Sequence, residues 1–355
     1  MRKQVNESVA EREGFEPSIR FCRILTFQAS AFDHSATAPH ALEARATIAS
    51  VGLSQATKLC KELHMKKYIL APIALLAIAA APAAAPSPAE IVSSAPATAW
   101  QDIAQEDLLE MTLASGSVVT IQLARDFSPV HVSNIRKLVA AHFWDGTSIN
   151  RVQENYVVQW GDATEKKALP ADLGTAPASD YVRPLIGIGF RPLPYPDPYA
   201  RRVGHGHGWP VATDGKLAWL PHCFGMIGVG RNLAPDTGSG AELYVVNGHA
   251  PRHLDRNIAV VGRVIDGISA LTTLPRGTGA LGFYERPEER ILITSIKAGS
   301  RDRWQSMRTE STSFAAYARA RANRHDAFFN VPAGGADICN VPVPIRKTPV
   351  QGDSR

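Results

Sequence analysis

Short runs in which apolar and polar residues alternate, separated by turn-forming residues, dominate the central part of the chain. Leu109 to Leu113 and Val118 to Leu123 alternate on either side of Ala-Ser-Gly-Ser, which predicts a β-hairpin. Many short strands with turn signals between them favour a closed barrel over an α/β fold. Four further strands are predicted at Gly225 to Val229, Glu242 to Val246, Ile258 to Val264 and Arg290 to Ile296.

Helical periodicity is confined to a few places. Apolar residues at helical spacing run from Val130 to Phe143, after a Ser-Pro start, and predict a helix there. Ile268 to Leu274 predicts a short helix, and residues 311–325 predict an amphipathic one. No internal repeat is visible.

One strand-turn-strand segment carries candidate chemistry. Ser148 to Asp162 reads SINRVQENYVVQWGD, and its alternation predicts that Arg151 and Gln159 lie side by side on neighbouring strands. A rigid guanidinium fork and a neutral amide in one apolar groove suit recognition of a backbone carbonyl. They do not suit nucleophilic catalysis.

This segment resembles the active-site signature of the cyclophilin family of peptidyl-prolyl cis-trans isomerases, F-H-R-[VI]-[IV]-x-[GD]-F-M-[IVC]-Q-G-G-D. The resemblance continues in family order through GMIGVGR at 225–231, SGAELYV at 239–245, and Leu254-Asp255 with VVGRVIDG at 260–267. It spans about residues 116–297, and four motifs in one order make a specific signal. It implies a mainly β fold: a closed eight-stranded antiparallel barrel capped by two helices.

The resemblance also implies a reaction. Amide resonance sets a barrier of about 18–20 kcal/mol to rotation of an X–Pro bond. A donor aimed at the prolyl nitrogen lowers this barrier, because the nitrogen lone pair accepts a hydrogen bond only in the twisted state. Arg151 matches the family's catalytic arginine, and Gln159 matches the glutamine that binds the carbonyl beside the proline. The resemblance implies neither a cofactor nor a metal.

By position, the resemblance assigns further residues to the substrate groove. A structural role in the barrel core is the alternative for those around the proline ring. Tyrosine in place of the family's phenylalanine adds hydroxyls that need partners, and Glu242 in place of a glutamine would compete with substrate if it paired with Arg151. These departures predict reduced activity. The groove residues are Tyr156, Val157, Gly230, Arg231, Glu242, Tyr244, His253, Leu254 and Ile258.

A second function remains open on the sequence. The same barrel could bind proline-containing peptides as a chaperone or scaffold with little catalysis, and the departures at Glu242, His253 and Ile258 favour that alternative. The expected partners in either case are unfolded or extended proline-containing polypeptides, and the chain is expected to be monomeric.

The N-terminal region predicts export. Met65-Lys66-Lys67 is followed by an apolar run from Tyr68 to Ala81 and by small residues, which is typical of a cleaved signal peptide. A periplasmic or secreted location follows, with no stable membrane insertion after cleavage. The predicted organisation is a spurious or disordered leader at 1–64, a signal peptide at 65–85, a linker at 86–108, the cyclophilin-like domain at 109–300 with a long loop insertion at 163–222, and a C-terminal helical extension at 301–355.

Charge and cysteine content change with this division. The net charge is +5, but residues 1–64 hold eight basic and seven acidic residues and the signal adds Lys66 and Lys67. The remainder has 28 basic against 26 acidic residues, which does not favour nucleic-acid binding. Cys223 and Cys339 remain as either a disulfide or two free thiols. No metal site is predicted, since the histidines lack a third ligand at a defined spacing.

Overall fold

The computed structural model describes residues 85–325 and 329–349. Over these residues the helices are α1 (Pro88–Ser93), α2 (Pro129–Ala140), α3 (Ser269–Thr272) and α4 (Thr312–Ala322). The strands are β1 (Trp100–Asp102), β2 (Leu108–Leu113), β3 (Val118–Leu123), β4 (Ser148–Val152), β5 (Val157–Gly161), β6 (Arg183–Pro184), β7 (Arg191–Pro192), β8 (Arg202–Gly206), β9 (Trp209–Thr213), β10 (Leu217–Trp219), β11 (Met226–Val229), β12 (Leu243–Val246), β13 (Val260–Asp266), β14 (Ile291–Ala298), β15 (Trp304–Met307) and β16 (Ile345–Lys347).

Eight strands close into an antiparallel barrel in the order β11–β12–β5–β4–β14–β2–β3–β13. Alternate side chains of the strands fill its interior, and Met111, Val119 and Val158 are fully buried there. Ile135 of α2 and Leu271 of α3 are buried in the same core, so both helices cap the barrel. The predicted mainly β fold with a closed eight-stranded barrel is therefore confirmed.

The insertion at 163–222 forms a sheet, which corrects the prediction of a long loop. Strands β6, β10, β9, β8 and β7 make a five-stranded antiparallel sheet. Every residue of Trp209–Thr213 is buried, so this strand lacks the polar alternation by which a half-exposed strand is predicted. The neighbouring strand β8 was not predicted because glycine weakens its strand pattern. Glycine is needed there, since a Cβ at Gly204 would lie 2.1 Å from the carbonyl oxygen of Arg191.

Residues 86–108 are not a linker. A capping box at Ser87 and Glu90 begins α1, and Trp100 on β1 pairs with Met307 on β15. The extension at 301–355 supplies two strands as well as the predicted helix, in a sheet of order β1–β15–β16. Phe314 and Tyr317 of α4 pack with Trp100 in one apolar cluster. Burial of this cluster explains why the Pro/Ala/Ser-rich segment is ordered.

Cys223 and Cys339 form a disulfide whose Cα atoms are 5.0 Å apart. It joins the end of the insertion to the C-terminal tail and closes a separation of 116 residues. The structure thus chooses between the two states that the sequence left open for these cysteines.

The predictions for residues 1–64 and for the signal peptide lie outside the described residues, apart from Ala85 at its end. Among the helices that the structure describes, none combines the length and the apolar character required to cross a bilayer.

Candidate active site

Arg151 lies at the centre of the groove predicted from the sequence. It is opposite Gln159 in the β4–β5 ladder, which confirms that the two residues lie side by side. Its Nη1 donates to Gln159 Oε1 at 3.3 Å, its Nε donates to the carbonyl oxygen of Leu281 at 2.8 Å, and its Nη2 donates to Gln153 Oε1. These three bonds fix the plane of the guanidinium.

Two aromatic rings enclose the same guanidinium. Its carbon lies 5.6 Å from the Tyr156 ring centroid and 5.3 Å from that of Phe283. Phe283 belongs to a loop that returns to the barrel, where it bridges to Arg151. Burial lowers the pKa of Arg151 below its ordinary value. A partly desolvated guanidinium is a stronger hydrogen-bond donor than one in water.

Glu242 bonds to Gln159 and not to Arg151, contrary to the pairing considered from the sequence. Gln159 Nε2 donates to Glu242 Oε2 at 3.4 Å. Burial, together with the nearby charges of Glu165 and Asp162, raises the pKa of Glu242 to about 7. Its carboxyl group occupies space left by Gly161, where a Cβ would lie 2.0 Å from a carboxyl oxygen. Arg151 therefore keeps free donor capacity.

The residues predicted to hold a proline ring lie together beside Gln159. Val157 and Tyr244 are buried in a small apolar cluster with Val246. Tyr156, Leu254 and Ile258 pack against that cluster and are partly exposed, so they form a wall that a ligand can contact. The groove they share with Arg151 has a volume of about 820 Å³.

Of the remaining predicted residues, Gly230 and Arg231 line this groove, whereas His253 is not among its lining residues. A Cβ at Gly230 would lie 2.9 Å from Cβ of Glu242. Arg231 also lines the groove but folds back, donating from Nε at 3.1 Å and Nη2 at 3.0 Å to the carbonyl oxygen of Asn257. His253 is exposed and stacks parallel to Tyr156, with ring centroids 6.3 Å apart. Its position limits it to the outer face of the apolar wall.

This geometry provides a fixed cation, an amide and an apolar recess. Such a site can bind a peptide carbonyl and stabilise charge that develops next to it. No set of three or more His, Cys, Asp or Glu side chains in the described ranges is arranged to hold a metal ion.

The family model for "Cyclophilin type peptidyl-prolyl cis-trans isomerase/CLD" matches residues 108–298, more than half of the chain. The chain belongs to the cyclophilin family of peptidyl-prolyl cis-trans isomerases.

Similar proteins agree with this membership. The chain is 23% identical over 196 residues to a probable peptidyl-prolyl cis-trans isomerase of Brucella suis biovar 1, covering 55% of this chain and 85% of the relative. A protein of the same description from Brucella abortus strain 2308 is 22% identical over the same coverage. The crystal structure of cyclophilin AquaCyp293 from Hirschia baltica matches with a TM-score of 0.56 and 22% identity, covering 70% of this chain and 93% of that one. This structural likeness supports the fold.

A buried polar network lies behind the cyclophilin groove. His222 Nε2 is 2.9 Å from the Tyr244 hydroxyl, and its Nδ1 is 3.0 Å from Asp255 Oδ1. Asp255 also accepts from Arg252, which pairs with Asp197 at 3.0 Å. Burial acts to raise the pKa of Asp255, but the His222 bond and the Arg252 charge outweigh it, so the pKa is below its ordinary value.

The network explains how a tyrosine replaces phenylalanine at the base of the pocket. Because Asp255 is a carboxylate, His222 donates to it from Nδ1, and its Nε2 forms a hydrogen bond with the Tyr244 hydroxyl. Gly228 provides the space for this hydroxyl, since a Cβ there would lie 2.3 Å from the oxygen. The hydroxyl that the sequence predicted to need a partner has one in the insertion.

Sequence reasoning missed three contributors to the site. His222 is 22 residues from Tyr244 in the chain, and no motif assigns it to the groove. Gln153 and Leu281 both bind Arg151 and were not predicted. The glycines near Leu281 were the usable signal in the sequence, because glycine permits tight turns and close backbone approach. In the structure Gly282 has φ +80°, and a Cβ there would lie 2.6 Å from Cα of Gln153. Such a close approach indicates a loop folded against the strand.

Proposed function

We propose that this cyclophilin catalyses cis–trans isomerisation of X–Pro bonds in extended segments of exported polypeptides and so assists their folding. Arg151 acts by donating a hydrogen bond to the prolyl nitrogen of the twisted amide. The single observation that supports this role most directly is the fixed guanidinium, held by Leu281, Gln159 and Gln153 beside an apolar recess.

The proposed mechanism needs no covalent step. A planar X–Pro amide has its nitrogen lone pair in resonance with the carbonyl, so the nitrogen accepts no hydrogen bond in the ground state. Twisting localises the lone pair on nitrogen, and a donor positioned in advance then binds the transition state more strongly than the substrate. Arg151 suits this task because it stays protonated and its three bonds limit its reorganisation.

The other groove residues hold the substrate in our proposal. Gln159 binds the carbonyl beside the proline, while Val157, Tyr244 and Leu254 contact the proline ring. Glu242 accepts one amide proton of Gln159 and leaves the second for substrate. Apolar contact with the ring supplies affinity without discriminating between the cis and trans isomers.

A protease-coupled assay with a proline-containing tetrapeptide anilide tests the function. The wild-type protein is expected to accelerate isomerisation, and Arg151→Ala is expected to lower kcat/KM by about 10²–10³-fold. Arg183→Ala is a matched control, because Arg183 also covers an aromatic ring (Phe127, 5.5 Å) and donates to a backbone carbonyl, outside the groove. The control is expected to keep wild-type activity.

The same experiment addresses peptide binding with little catalysis. If wild type and Arg151→Ala both leave the uncatalysed rate unchanged while the peptide still perturbs NMR signals of Tyr156 and Tyr244, the protein is a binder and the catalytic proposal fails.

We propose that the protein acts outside the cytoplasm after cleavage of the segment that begins at Met65. The basic and apolar pattern of residues 65–81 and a disulfide between Cys223 and Cys339 support this location. N-terminal sequencing of the protein from the exported fraction is expected to give a start near Pro86. A cytoplasmic protein with an intact N-terminus would contradict the proposal.

A further inference from the structure

A second cavity, of about 290 Å³, shares no lining residue with the isomerase groove. It lies between strand β13, the end of the insertion and the C-terminal tail. Met226, Val264 and Ile345 contribute to its wall, together with the Cys223–Cys339 disulfide. Arg263 is the only polar side chain among the described residues that line it.

Arg263 is 7% exposed, and its contacts leave one edge of the guanidinium open. Nε and Nη2 donate to Gln122 Oε1 at 2.9 and 2.7 Å, and the guanidinium carbon lies 4.2 Å from the Trp209 ring centroid. Over the part of the chain that the structure describes, Nη1 donates to no acceptor. Arg263 lines the cavity, and this third nitrogen has its donor capacity left for a ligand.

No carboxylate among the described residues compensates the charge of Arg263. Burial alone lowers its pKa to about 9, so the side chain remains a cation at neutral pH. A buried charge without an opposite charge is strongly unfavourable. The neutral amide of Gln122 and the face of Trp209 stabilise it only in part.

We propose that this cavity binds a small organic carboxylate, with the carboxylate on Arg263 and an aliphatic tail against the apolar wall. A guanidinium edge is complementary to a carboxylate, and that bond is strengthened when water is excluded. The cavity volume lies at the lower end of the range for ligand pockets, which suits a short tail. Binding here is separate from the isomerase reaction and does not depend on it.

Titration of the full chain with sodium hexanoate tests the proposal, with the Met226 methyl group observed by NMR. Hexanoate is expected to give a saturable shift of this signal. Hexanol has the tail without the charge, acetate has the charge without the tail, and each is expected to bind at least tenfold more weakly. The proposal is overturned if hexanol binds as tightly as hexanoate, or if hexanoate gives no saturable shift. This test needs only the wild-type protein.

Arg263→Met is expected to bind hexanoate at least tenfold more weakly and to be at least as stable as wild type, because it removes an uncompensated buried charge. Arg346→Met is the matched control. Arg346 also covers a tryptophan (Trp100, 4.0 Å) and donates to a glutamine (Gln305, 3.0 Å), but it does not line the cavity. Unchanged hexanoate affinity in Arg263→Met contradicts the proposed role of the arginine.

A competition experiment identifies the source of the carboxylate. N-acetyl-Gly-Leu carries a chain-terminal carboxylate, and its C-terminal amide is the matched control. Displacement of hexanoate by the acid and not by the amide supports the proposal and extends it to peptide C-termini. Failure of the acid, with hexanoate still bound, supports the proposal for free small carboxylates.

Discussion

At the scale of single residues, the groove departs from its family pattern in ways that compensate one another. Tyr244 adds a buried hydroxyl, and His222 forms a hydrogen bond with it. Glu242 adds a carboxylate, and Gly161 and Gln159 accommodate it without consuming a donor of Arg151. The polar substitutions are thus satisfied within the wall of the pocket, and the guanidinium keeps its donor capacity.

Tyr244→Phe is expected to destabilise the protein by about 1–3 kcal/mol, because His222 Nε2 is then buried without a partner. Urea denaturation measures the change. Tyr156→Phe is the control at a partly exposed ring of the same pocket and is expected to change stability by less than about 0.5 kcal/mol. Equal losses in the two variants would argue against the His222 bond as the cause.

Glu242→Gln is expected to change how stability depends on pH. The pKa of Glu242 is raised from 4.5 to about 7, so the folded protein holds this proton more tightly than the unfolded chain. The stability contributed by the protonated group is therefore complete below pH 4.5 and is lost as the pH rises through about 7.

Urea denaturation at about pH 5 and about pH 8 checks this expectation. At the higher pH the free energy of unfolding of Glu242→Gln is expected to exceed that of wild type by about 2 kcal/mol, after allowance for solvent at the partly exposed carboxyl. At the lower pH the difference is expected to be much smaller. Glu285→Gln removes the same charge at an exposed position outside the groove and is expected to show little pH-dependent difference. An equal gain for Glu242→Gln at both pH values would contradict the raised pKa.

At the scale of elements, the barrel strands and capping helices were predictable because their surroundings are regular. Strands β2 and β3 face the core on one side, so their alternation is intact, and α2 has one buried face. The insertion strands were not predicted because Trp209–Thr213 is covered on both faces and the adjacent strand β10 has only three residues. The order of residues 86–108 also escaped, since it depends on packing against α4.

The C-terminal tail depends on the disulfide that joins it to the insertion. Replacing both Cys223 and Cys339 with serine is expected to lower stability by about 4 kcal/mol, because the cross-link restricts a long loop in the unfolded chain. Thermal denaturation with and without a reducing agent measures this. The serine variant is expected to be insensitive to the reductant and to keep isomerase activity. Lost activity in a folded variant would show that the tail supports the groove.

At the scale of the whole molecule, the added segments form two further sheets beside the barrel without closing its groove. The insertion supplies His222 and Trp219 to the network behind the pocket, while the outer face with Arg151 stays open. The disulfide joins the C-terminal tail to the end of the insertion, and the cavity beside Arg263 is lined by residues of both. The same additions therefore support the isomerase groove and enclose a separate cavity.

The sequence by itself determined the fold family, the barrel, and the pairing of Arg151 with Gln159. These features rest on local alternation and on motifs in fixed order, which are properties of the chain. Only the tertiary structure decided which partner Glu242 takes, how the Tyr244 hydroxyl is satisfied, and that Arg263 is buried without an opposite charge. Each of these depends on residues far apart in the chain, and no pattern along the sequence encodes distances between them.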